Sequence, residues 1–87
     1  MKKEVTVFNK TGIHVRAAAL FSQAASKFKA DILVEKDGKQ VNAKNIMGVL
    51  ALGITPGTKI SIITKGMEEQ EAMATIMELL EGKFGEE

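Results

Sequence analysis

Apolar residues alternate with polar ones at the start of the chain, where Val5 and Val7 flank Thr6. A period of two predicts a strand over residues 3–8. Residues 9–14, with Thr11 and Gly12, read as a loop. The period then changes. Leu20, Phe21, Ala24, Ala25 and Phe28 recur at spacings of three and four, which predicts a helix over 17–29 with that face inward. Ile32 and Val34 give a second strand over 31–36, and Asp37-Gly38 follows at once. That pair favours the type I′ hairpin turn, so residues 39–42 should return as a third strand. A short helix is expected over 45–52, stopped by Gly53. Pro56-Gly57 marks a turn before a fourth strand over 59–64. The last helix is predicted over 68–81, with Ala72, Met73, Ile76, Met77 and Leu80 inward. Glu68, Glu69 and Glu71 suit its positive end, Gly82 is its expected stop, and Gly85-Glu86-Glu87 are expected to fray.

The order β-α-β-β-α-β-α places a helix between strands in each half. The simplest packing is an α+β fold with all helices on one face of an antiparallel sheet. The pattern leaves the strand order open. The 87 residues allow one domain, 1–87, with a modest core, since a chain of this size buries only about two-thirds of its unfolded surface.

Composition narrows the function classes. With no cysteine and one histidine, thiol chemistry is out and no metal site is expected. Twelve basic and 11 acidic side chains leave a net charge of +1, which gives no electrostatic case for nucleic acid. The aromatic residues are all Phe, a poor basis for a base-stacking platform. The N-terminal residues alternate in polarity rather than forming a signal sequence. No apolar run is long enough to span a bilayer. The expectation is a cytoplasmic protein with no membrane insertion and no cofactor.

The chemically informative segment is Gly12-Ile13-His14-Val15-Arg16-Ala17-Ala18, where the first loop becomes the first helix. Helices ordinarily start with Ser, Thr, Asp or Asn and carry acidic residues in the first turn. This one starts with His14 and has Arg16 in its first turn, a cation against the helix dipole. First-turn amides lack partners inside the helix. With a guanidinium added, the place suits an anion. Histidine can act as a nucleophile near neutral pH, and a helix N-terminus should favour its neutral form. On the residues alone two readings stand. In one, His14 caps a helix beside a solvated Arg16; in the other, the backbone of Val15, Arg16 and Ala17 together with the Arg16 side chain holds a phosphoryl group carried on His14.

This heptapeptide resembles the active-site motif of HPr, the histidine-containing phosphocarrier family of the bacterial sugar phosphotransferase system. The run Glu35-Lys36-Asp37-Gly38-Lys39-Gln40-Val41-Asn42-Ala43-Lys44-Asn45-Ile46-Met47-Gly48-Val49 is similar to the family's second signature, and Leu52-Gly53 fits its end. The resemblance covers nearly the whole chain. It implies an open-faced β-sandwich, a four-stranded antiparallel sheet with three helices on one side. It further implies that His14 takes a phosphoryl group from phosphorylated enzyme I and passes it to the IIA domain of a sugar permease, with Arg16 stabilising the group. Thr11, Ile46, Met47 and Leu50 would form the docking surface. Core packing is expected for one of Ile46 and Leu50, and Met47 is the better surface candidate. Such a carrier is a covalent intermediate rather than an independent enzyme, and a monomer is expected.

The chain departs from the family pattern at three positions. Ala17 replaces the usual Pro, and Val15 is bulkier than usual. Asn45 stands where many members carry a Ser phosphorylated by a dedicated kinase. Asparagine has no hydroxyl for that switch but still suits an N-cap. The alternative is a regulatory HPr-like protein that acts by contact in catabolite control. That paralogue lacks the motif histidine, whereas His14 is present here. A nucleic-acid-binding domain fits the charge balance poorly, and no second acid, base or metal constellation suggests an independent enzyme.

Overall fold

Asp37 and Gly38 both take positive φ, 52° and 80°, as the type I′ turn requires. The pair joins two strands in the register Lys36↔Lys39 through Leu33↔Asn42. The computed structural model describes residues 1–82 and Phe84, and the expected fraying of Gly85-Glu86-Glu87 lies outside them. The described residues form β1 (Lys2–Thr6), α1 (Val15–Ala25), β2 (Asp31–Lys36), β3 (Lys39–Asn42), α2 (Ile46–Ala51), β4 (Lys59–Lys65) and α3 (Glu69–Glu81). The order is the one read from the pattern.

The strands lie in the order β1-β4-β2-β3, antiparallel throughout, which answers what the pattern left open. Ile60, Ile62, Ile32 and Val34 face one side and pack with Ala17, Ala18, Phe21 and Ala25 of α1, Val49 of α2, and Ala72, Met73, Ile76 and Leu80 of α3. The three helices therefore cover one face, and the fold is an open-faced β-sandwich of the α+β class. The other face carries Glu4, Ser61, Glu35 and Gln40 in one row across the four strands.

Element ends differ from the pattern for local reasons. β1 stops at Thr6, opposite the first residue of β4, Lys59. Val7 continues the ladder only through Thr58 and Gly57 (2.8 and 2.7 Å), and Phe8 is 68% exposed. α1 begins two residues earlier than predicted and ends four residues earlier. Lys27 and Phe28 already make tighter bonds to Ala24 and Ala25. The Phe28 carbonyl then accepts from Lys44 Nζ at 2.7 Å, so a distant lysine satisfies the end of the turn. The inward face of α1 is also rotated. Ser22 is buried and donates to the Lys44 carbonyl at 2.7 Å, while Leu20, Ala24 and Phe28 are half-buried.

Candidate functional site

His14 is the N-cap of α1, with extended backbone (φ −109°, ψ −166°). Its carbonyl accepts the first intrahelical bond, from the Ala18 amide at 2.7 Å. The amides of Val15, Arg16 and Ala17 precede that bond and belong to the first turn. The His14 side chain makes no capping bond among the described residues, and α1 carries no acidic residue in its first turn. The imidazole is exposed at the end of the helix, where a group can reach it from another protein. Val15 is exposed as well, so its extra bulk faces solvent, while Ala17 is fully buried against the core. Arg16 is exposed and donates Nη1 to the Phe84 carbonyl at 3.3 Å.

The loop before His14 is held tightly. Ile13 is buried, and its amide donates to the Ile54 carbonyl at 2.9 Å. Gly12 has φ +67° and lies against the backbone of Ile54 and Thr55; a Cβ there would sit 2.9 Å from the Thr55 Cα. Only glycine combines that φ with that approach. Asn9 is buried and donates its amide to the Gly12 carbonyl, and the Gly12 amide donates back to the Asn9 carbonyl at 3.1 Å. The hydroxyl of Thr58 braces the Thr55 amide at 3.2 Å. His14 thus follows a loop anchored through the backbone of Gly12 and Ile13.

The second segment lies on α2. Asn45 is its N-cap, with Oδ1 accepting from the Gly48 amide at 3.2 Å, the role expected of it. Met47 is 72% exposed and Ile46 39% exposed, whereas Leu50 is half-buried against the core. Leu50 is therefore the one of the pair committed to packing. Thr11 is exposed in the loop before His14. The two segments are neighbours because Ile54, just beyond α2, takes the Ile13 amide.

Sequence reasoning missed Asn9, Ile54 and Phe84. Asn9 had a weak signal, a loop Asn three residues before a Gly. Ile54 and Phe84 had none, since both act through backbone carbonyls. Phe84 is buried, its ring 6.4 Å from that of Phe21. Among the described residues, no three His, Cys, Asp or Glu side chains are placed to share a metal ion. No helix among them is long and apolar enough to cross a membrane.

Residues 1–82 match the family described as the PTS HPr component phosphorylation site. The chain is 49% identical over 81 residues to the HPr-like protein Crh of Halalkalibacterium halodurans, covering 93% of this chain and 96% of that one. It is 42% identical over 86 residues to the phosphocarrier protein HPr of Neisseria meningitidis, covering 99% and 97%. The solved HPr of Thermoanaerobacter tengcongensis superposes with a TM-score of 0.97 at 48% identity, over 100% of this chain and 98% of that one; that organism's HPr has also been solved as a dimer.

Proposed function

The chain belongs to the HPr family of the phosphotransferase system, and from that membership we propose that it is a phosphocarrier acting through His14. In this reading a ring nitrogen of His14 attacks the phosphorus of the phosphoryl group held by enzyme I. The bond to the donor breaks as the new N–P bond forms, and the group then leaves His14 for the IIA domain of a sugar permease. Arg16 and the first-turn amides of Val15, Arg16 and Ala17 hold the charged oxygens throughout. The protein is regenerated only by its partners, so it is a carrier and not an independent enzyme. It works in the cytoplasm as a monomer, which leaves Thr11, Ile46 and Met47 open to each partner in turn.

The observation that carries the reading is an exposed histidine at a helix N-cap, with an arginine two residues on and an acid-free first turn. Intact-mass spectrometry after incubation with enzyme I, magnesium and phosphoenolpyruvate tests it. One acid-labile phosphoryl group should appear, and none should appear on His14→Ala.

The 49% identity to a Crh protein favours a second reading, a regulator acting by contact in catabolite control. Its signature in the same experiment is a folded chain that gains no phosphoryl group while a control carrier is fully charged. Asn45 removes the Ser switch from either version.

A further inference from the structure

Lys36 ends β2 and is half-buried. In register it stands opposite Lys39, a like-charged cross-strand pair that is unfavourable on its own. Its ammonium group turns to two backbone carbonyls instead, donating to Leu52 at 2.9 Å and Gly53 at 3.1 Å. Leu52 is the C-cap of α2, so the cation meets the negative end of that helix. The next carbonyl along the chain, that of Ile54, takes the Ile13 amide, and Thr55 is the surface on which Gly12 rests. Four consecutive residues, 52–55, thus receive the sheet through Lys36 on one side and the His14 loop on the other.

α2 has only six residues, too few to hold an orientation by itself. It spans about 9 Å, so a tilt of about 10° about its C-terminal end would shift Ile46 and Met47 by about 1.5 Å. A displacement of that order is enough to misalign a group-transfer reaction.

We propose that Lys36 is a positioning residue that locks α2 and the His14 loop into one frame, so that a partner docked on Ile46 and Met47 meets His14 in line. The proposal rests on the phosphocarrier reading. Lys36→Met keeps the aliphatic stem and removes both donors. Lys36→Arg restores donors. With enzyme I and phosphoenolpyruvate, Lys36→Met should lower kcat about tenfold with KM within about twofold of the parent, and Lys36→Arg should recover most of the loss. Phosphorylation by phosphoramidate, a small donor that needs no docking, should be equal in all three proteins. Hydrogen exchange at the Ile13 amide should quicken in Lys36→Met and slow again in Lys36→Arg. An unchanged kcat, a change confined to KM, an equal loss with phosphoramidate, a gross loss of melting temperature, or unchanged Ile13 exchange would each overturn the proposal. A parent chain that reacts with neither donor would instead sink the carrier reading, and the Ile13 exchange would still decide the tie.

Discussion

The Ile13 amide donates to the Ile54 carbonyl at 2.9 Å, which seats the residue before His14 on the stretch that leaves α2. Gly12 makes this seat possible by pressing its backbone against Ile54 and Thr55 at φ +67°. Gly12→Ala meets both a strained φ and a backbone collision, so it should lose more than about 2 kcal/mol. For a domain of this size calorimetry should show a melting point lower by at least about 10 °C.

Arg16→Lys keeps the charge in the first turn but loses the planar fork that grips two oxygens at once. Transfer to His14 should fall about tenfold, as quenched-flow measurement with enzyme I would show, while stability stays within about 0.5 kcal/mol because Arg16 is exposed. An unchanged rate would remove Arg16 from the site.

Met47 and Leu50 lie three residues apart on α2 but differ in burial. Met47→Ala should leave the denaturation midpoint unchanged and raise KM for enzyme I severalfold. Leu50→Ala should cost about 2 kcal/mol or more through its lost packing. Urea titration alongside steady-state kinetics separates the two effects.

Asn45→Ala removes the acceptor for the Gly48 amide and should cost about 1 kcal/mol. Asn45→Ser should retain most of that stability. It also restores the hydroxyl that the family resemblance marks as a kinase target, so only this variant should gain phosphate from the family's ATP-dependent kinase.

The Glu69 carboxyl is held below its ordinary value of 4.5, chiefly by the Gly66 amide and then by the Met1 ammonium. A lowered folded value means that the unfolded chain binds the proton first. The contribution is therefore complete above pH 4.5 and is lost as pH falls through the lower folded value. In melting curves, Glu69→Gln should narrow its deficit against the parent over that acid interval; a constant deficit would contradict the assignment.

Much of this was legible in the chain itself. Asp37-Gly38, the Gly53 stop and the Asn45 cap are local rules, and each operates as its residue type predicts. His14 and Arg16 stood out because they break the local rules for a helix start. The unread parts depend on partners far away in sequence. Beyond the early end of α1, the Phe28 carbonyl is taken by the distant Lys44, and β1 ends where β4 begins to pair. Phe8 breaks the alternation of Val5 and Val7, falls in the register of Glu4 and Thr6, and is exposed. The carbonyls of Ile54 and Phe84 carry no trace of their side chains' identity, so composition and periodicity are blind to them.

The helix-free side of the sheet, with Glu4, Ser61, Glu35 and Gln40 in a row and Gln40 bonded to Glu35 at 2.8 Å, gives the molecule a reverse side. The residues proposed for transfer and docking lie in the helices or their loops, and Lys36, at the end of β2, turns its ammonium group to the end of α2. The reverse side is therefore where a fluorophore, an affinity handle or a sensor chip can be attached. A protein gripped there would still offer His14 to whatever comes to meet it.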